Sequence, residues 1–293
     1  MTPLEYDFLR KSLKERSGLV LTADKQYLVE SRLLPIARKA GLVSLGGLVA
    51  ALRCGDESLI MTVVEAMTTN ETFFFRDKTP FENFRTAILP TLLAARRASR
   101  HIRIWSAAAS SGQEPYSLAM TIKELEDTLA GWRIEIIATD LSSSVLRKAQ
   151  AGIYSQFEVQ RGLPIALLIK YFSKTGDMWQ IAPELRAMVK FRQFNLLSDF
   201  SALGVFDLIF CRNVLIYFDQ PTKTNVLNRL GRAAAADSYL ILGAAETVVG
   251  LTESFATLPE LRGVYAPNAR PLRPQLAASR AAPPRLVAVG GGR

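Results

Sequence analysis

The most unusual segment of this sequence is Thr68-Thr69-Asn70-Glu71-Thr72-Phe73-Phe74-Phe75-Arg76-Asp77, where amide and hydroxyl side chains precede three aromatics and an arginine. A guanidinium here could hold a carboxylate in a forked pair. A helix cap before buried aromatics would account for Thr69 or Asn70 and leave Arg76 on the surface, but it does not require the arginine. A second candidate is the loop Ser106-Ala107-Ala108-Ala109-Ser110-Ser111-Gly112-Gln113-Glu114. Its small residues allow a ligand close to the backbone, and an acid closes it. Glu114 could equally complement the positive end of the helix that follows. Asp140 could accept hydrogen bonds from both ribose hydroxyls of an adenosine, or cap the helix that begins near Ser142. Cys211-Arg212-Asn213 offers a side-chain amide at Asn213, and Tyr217 a phenol; the alternative is an ordinary exit loop with Tyr217 in the core. Asn195, in Phe194-Asn195-Leu196-Leu197, could accept from an adenine amino group or merely form a turn.

These residues need elements that bring them to one edge. Ile102–Ala107, Arg133–Ala138, Phe206–Phe210 and Tyr239–Leu242 are β-rich runs. Helical stretches at Phe81–Ala95, Pro115–Leu129, Ser142–Ala149 and Pro221–Ala236 surround them. The alternation predicts an α/β fold with a doubly wound, mostly parallel sheet, which binds ligands beyond the carboxyl ends of its strands. Residues 1–67 read as a helical domain. It opens at Pro3, has Thr22 or Asp24 as a second cap, and places Val29, Leu33, Ile36, Ala37 and Ala40 on one core face. Pro35 predicts a kink or break there. Residues 68–267 form the α/β domain. Short β-like pieces at Met178–Ile181 and Met188–Phe191 predict an inserted β-subdomain at about 154–194. Residues 268–293, rich in Arg, Pro, Ala and Gly, lack core formers and are expected to be disordered.

The loop at Ser106–Glu114 is not a G-x-G-x-x-G and has no phosphate-cradling glycines followed by lysine. A nucleoside without phosphates, such as S-adenosylmethionine, fits it better than NAD or ATP. Of the net charge of +9, five units are Arg270, Arg273, Arg280, Arg285 and Arg293, in a tail with no acid; without them +4 remains. With no aromatic platform interleaved with a basic stretch, nucleic acid is not expected as a partner. The chain is 49% hydrophobic, so it can bury a full core. It shows neither a bilayer-length apolar run nor a signal-peptide pattern, so membrane insertion is not expected. Two distant cysteines, Cys54 and Cys211, suit a reducing cytoplasm and exclude a cysteine metal site or a disulfide framework.

Taken together, five ordered motifs resemble the chemotaxis receptor glutamate O-methyltransferase family. They are Thr69–Asp77, Trp105–Ser117, Ala138–Ser142, Phe194–Leu197 and Phe210–Phe218, within a likeness that runs from about Leu4 to Tyr265. The resemblance implies a helical N-terminal domain joined to a methyltransferase domain that carries a small β-subdomain. It implies that Asn70, Thr72, Arg76, Glu114, Asp140, Asn195, Leu196, Arg212 and Asn213 line an S-adenosylmethionine site, with Arg76 and Tyr217 nearest the methyl and no metal. It implies as partner the acidic cytoplasmic helices of methyl-accepting chemoreceptors, met by a basic face to which Lys25, Arg32 and Lys39 could contribute. Relatives that dock on a receptor-tail peptide carry a longer glycine-containing insertion than Ser173–Met178, so tail docking is not expected here. A glutamate carboxylate is already an anion at neutral pH, so in-line transfer needs no general base. That fits a chain whose single histidine, His101, sits beside a strand. Two readings compete: a methyltransferase for another acidic protein, and a non-catalytic S-adenosylmethionine-binding sensor.

Overall fold

The computed structural model describes residues 1–268, so the expectation for the tail beyond Asn268 lies outside the described residues. Four helices come first: α1 (Pro3–Ser17), α2 (Gln26–Lys39), α3 (Leu45–Arg53) and α4 (Glu57–Met67). Thr2 and Glu5 form a capping box around Pro3, while Ser44 and Asp56 cap α3 and α4. Leu9, Leu13, Val29, Leu33, Leu48, Val63 and Met67 form their shared core. On α2, Val29, Leu33 and Ala37 are buried and Ile36 is half-buried, but Ala40 is exposed past the last helical turn. Neither Thr22 nor Asp24 caps α2 through its side chain; the helix continues out of a single 3-10 turn, Ala23–Lys25. It also runs on through Pro35 to Lys39.

Next come α5 (Thr79–Asn83), a π turn at Phe84–Ile88 and α6 (Leu89–Ala95). The sequence suggests one helix here. Pro90 has no N–H to give and crowds the carbonyl four residues back, and the wider turn just before it accommodates both effects. The sheet and its connections follow in order: β1 (His101–Ala107), α7 (Gln113–Lys123), β2 (Arg133–Asp140), α8 (Ser143–Ala151), β3 (Ile153–Ser155), α9 (Gln156–Gln160), α10 (Ile165–Tyr171), β4 (Phe172–Thr175), β5 (Met178–Ile181), α11 (Pro183–Ala187), β6 (Val189–Gln193), β7 (Phe206–Cys211), α12 (Gln220–Ala233), β8 (Ala234–Leu242), β9 (Phe255–Thr257) and β10 (Val264–Pro267).

Seven strands form the main sheet in the order β6-β2-β1-β7-β8-β10-β9. The first five are parallel, and β10 and β9 close the edge antiparallel. From β1 the chain builds outward through β2 and β6, then crosses to β7 on the other side. This reversal opens a crevice at the carboxyl ends of β1, β2 and β7. Trp105, fully buried, fixes that edge: it stacks on Phe206 and its indole N–H donates to Thr139 Oγ1 at 2.9 Å. A second sheet, β3-β5-β4, is the small β-subdomain, with a Gly176-Asp177 turn joining β4 to β5; the piece at Met188–Phe191 is not part of it, because β6 pairs with β2 at the edge of the main sheet.

Two helix ends differ from the periodicity. α7 stops at Lys123, and Glu124 to Gly131 are turns. α12 stops at Ala233, and Ala234–Asp237 extend as strand. Alanine favours helix, but here Ala234 pairs with Phe206 and Asp237 holds Arg96, so tertiary contacts override propensity.

The helical part is tied to the sheet at several points. The Glu65 carboxylate accepts from the amides of Ser143 (2.9 Å) and Ser144 (3.3 Å) at the start of α8, and from the Ser142 hydroxyl at 3.0 Å. The Val20 amide donates to the Tyr217 carbonyl at 2.9 Å, and Lys14 pairs with Asp219 at 2.6 Å. Gly18 ends α1 at φ 78°, and a Cβ there would lie 2.9 Å from the Phe218 ring. Only glycine permits both that conformation and that approach.

Candidate donor cleft

Asn70, Thr72, Arg76, Glu114, Asp140, Asn195, Leu196, Arg212, Asn213 and Tyr217 all line one cleft at the carboxyl edge of the sheet. Ser17, the last residue of α1, and Leu19 just past it also line the cleft.

The backbone around it is strained. Phe75, Asp77, Lys78, Ala108, Ser110 and Asn213 all have positive φ; elsewhere among the described residues, only Arg100 does so without being glycine. Such conformations persist where the surroundings over-determine them, and they gather where a chain must present groups to a ligand. The three aromatics divide the work. Phe74 is fully buried against Tyr154 and Phe172, and Phe75 packs on Phe81. Phe73 carries the Arg76 guanidinium 5.5 Å from its ring centre. Arg76 Nη1 donates to the Glu71 carbonyl at 2.8 Å, which leaves the rest of its fork for the cleft.

Glu114 and Arg212 form a buried pair at 2.9 Å. Ser106 donates to the second Glu114 oxygen at 2.8 Å, and Arg212 Nη2 reaches Asp77 at 2.7 Å and the Arg76 carbonyl at 3.0 Å. Burial pushes the Glu114 carboxyl up, against the pull of Arg212 and Ser106. Asp140 is likewise raised by burial, opposed by backbone amides: Ser142 N–H donates to one oxygen (2.9 Å) and Ser110 N–H to the other (2.8 Å). Each oxygen keeps a lone pair for a further donor, as two ribose hydroxyls would require. Capping of α8 falls to the Ser142 side chain and Glu65, so Asp140 is not the cap.

Asn195 lines the cleft with a side chain that also holds backbone. Its Nδ2 donates to the Arg16 carbonyl at 2.6 Å and its Oδ1 accepts from the Leu197 amide at 2.9 Å. Its side chain therefore braces the Leu196 turn against α1, while Oδ1 keeps one lone pair for a further donor. Arg32 also departs from expectation. Its guanidinium donates to the carbonyls of Met67 (2.8 Å) and Thr68 (2.9 Å), ending α4 and gripping the irregular segment that enters the cleft. It is half-buried, whereas Lys39 is exposed.

Comparison with known proteins decides the kinship. The family described as CheR methyltransferase, SAM binding domain, matches residues 70–264, and CheR methyltransferase, all-alpha domain, matches residues 4–68. The chain belongs to the CheR methyltransferase family. Chemotaxis protein methyltransferase 1 of Pseudomonas aeruginosa is 44% identical over 255 residues, covering 86% of this chain and 93% of that protein. Chemotaxis protein methyltransferase 1 of Vibrio cholerae is 43% identical over 255 residues, covering 86% and 92%. The chemotaxis protein methyltransferase of Borreliella burgdorferi is 37% identical over 256 residues, covering 85% and 90%. The CheR sheet described above is the class I S-adenosylmethionine-dependent methyltransferase fold behind an all-α domain. The protein is an S-adenosylmethionine-dependent methyltransferase of chemotaxis.

The residues fit that donor: a small-residue loop, an acid with lone pairs to spare at the ribose position, and a buried carboxylate for a cationic group. Sequence reasoning missed Glu65, which braces α8, and Glu246, which lies behind Asn213. Glu246 carried a usable signal, since it follows the end of β8 at the same edge as Asp140 does β2. Among the described residues no cluster has metal-ligand geometry, and no helix is long and apolar enough to cross a membrane.

Proposed function

We propose that this CheR protein transfers the methyl of S-adenosylmethionine to glutamate side chains on the cytoplasmic helices of chemoreceptors, giving glutamate 5-O-methyl esters and S-adenosylhomocysteine. The observation that carries this reading is the placement of Arg76 and Tyr217 on the same cleft as the buried Glu114 and Asp140. When bound, the donor supplies an electrophilic methyl whose C–S bond breaks as the carboxylate oxygen forms the C–O bond. Asp140 holds ribose hydroxyls. Glu114, backed by Arg212, faces the positive end of the methionine portion, and Asn70, Thr72 and Asn213 complete the wall. Arg76, steadied on Phe73, orients the incoming carboxylate, and Tyr217 holds it from the other side. No proton leaves the nucleophile, so no base is assigned. Arg76 helps by fixing geometry, because a tighter grip on the ground state alone would not speed the reaction.

Lys39 and the exposed side of α2 offer positive charge to an acidic helix. The two-residue β4–β5 turn gives a receptor-tail peptide no added loop to dock on. The test is incubation with radiolabelled S-adenosylmethionine and membranes carrying chemoreceptors, followed by mapping of the label. A base-labile label on receptor glutamates is expected. Label confined to another protein, or a base-stable label, would overturn the assignment.

A further inference from the structure

Behind the cleft, four backbone amides converge on one point. Those of Asn213 and Gly243 donate to one Glu246 carboxylate oxygen, each at 2.8 Å, and those of Val214 (2.9 Å) and Ile216 (3.2 Å) donate to the other. Converging N–H groups of this kind make an anion-binding nest, and here the chain fills it with its own buried side chain. The segment it holds is otherwise anchored by the buried Leu215 side chain and by the Val20 amide on the Tyr217 carbonyl, further along the chain. Past β7 the chain leaves the sheet, Asn213 turns at φ 57°, and Leu215–Tyr217 make a single 3-10 turn. That segment delivers both Asn213 and Tyr217 to the cleft. Gly243 shows how closely the two loops approach. A Cβ there would lie 2.7 Å from Glu246 Oε2, 2.9 Å from Asn213 Nδ2 and 3.0 Å from the Asn213 amide nitrogen.

We propose that Glu246 is a positioning residue of the donor site, holding Asn213 and Tyr217 in place through the backbone of the loop between them. This rests on the placement of Asn213 in the S-adenosylmethionine site. Gln at 246 keeps the shape but turns an NH2 toward amide donors. Calorimetry with S-adenosylhomocysteine should show Glu246→Gln and Asn213→Ala each weakening binding about tenfold. The double variant should be no weaker than the weaker single one, because both act through one contact. Gly243→Ala presses a methyl into the same contacts and should show a similar loss with the carboxylate retained.

Thermal unfolding is recorded for every variant. Binding by Glu246→Gln within about twofold of wild type overturns the proposal. So do losses that multiply in the double variant, or unfolding of both Glu246→Gln and Gly243→Ala, which would make Glu246 a residue of the fold alone. The binding cycle needs no receptor. If it behaves as expected in a protein that esterifies no receptor glutamate, the proposed function fails while the role of Glu246 stands.

Discussion

Opposite ends of the same sheet carry two arginine–carboxylate clusters, and they are built to different ends. At the amino edge Arg96 donates to Asp207 at 2.8 Å and to both oxygens of Asp237, while the second Asp207 oxygen accepts from the Arg103 amide at 2.8 Å. Each Arg96 nitrogen reaches a carboxylate oxygen, and the carboxylates beside Arg96 push its pKa further up. At the carboxyl edge Arg212 binds Glu114 and Asp77, but its Nε has no partner among the described residues. Glu114 is held above the ordinary carboxylate range by burial, and the backbone nearby is strained. The residue types alone do not separate the clusters. What separates them is incomplete satisfaction beside an open cleft, which is the condition of a group kept ready for a ligand.

Four substitutions sharpen or break this contrast. Arg76→Ala should have the largest effect, lowering methyl transfer to receptors by about 10³-fold through lost orientation of the acceptor. Scintillation counting of receptor methyl esters reads it, and full activity would remove Arg76 from the mechanism. Arg96→Ala, at the other edge, should cost about 3 kcal/mol of folding stability by leaving two carboxylates short of their partner. Its affinity for S-adenosylhomocysteine, measured on folded protein, should stay at the wild-type value; a matching loss of affinity would erase the distinction between the edges.

Glu114→Gln should weaken donor binding by roughly 30-fold, read on protein shown to be folded. It also tests the pH dependence. A carboxylate whose folded pKa is raised favours folding most at acid pH, and that contribution falls as pH rises through the raised value. Donor binding runs the other way, because it needs the charged form. Wild-type affinity should therefore drop as pH falls from neutrality through the raised Glu114 value, and the Gln variant should show a flatter profile by calorimetry, with Asp140 supplying what slope remains. Tyr217→Phe should give the smallest change, about tenfold in turnover, because the ring stays packed and one hydrogen bond is lost. An equal fall in donor affinity would instead place the phenol on the donor.

Much of the cleft was legible because its residues end strands. Asp140 closes β2, Glu114 follows β1, and Arg212 follows β7, so recognising the strands locates the acids and the arginine. The same logic applied to β8 would have found Glu246. Other features depend on contacts between distant segments, which periodicity does not encode. Arg32 sits at a spacing that suits a solvated face, yet it serves the end of α4. Asn195 reads as a turn or an adenine acceptor, and only the fold shows its Nδ2 tied to the end of α1. Ala234–Asp237 have helical propensity, and only pairing with β7 makes them strand.

The ties between the helical part and the sheet bear on how such proteins can be recombined. Gly18 against Phe218, Glu65 against the start of α8, and Val20 against Tyr217 each join residues from both halves. Exchanging the helical part between relatives therefore cannot treat Thr68 as a neutral splice point. A graft of the helices must be matched to their sheet-side partners, Phe218, Tyr217 and Ser142 to Ser144, or the wall of the cleft between the two halves no longer closes.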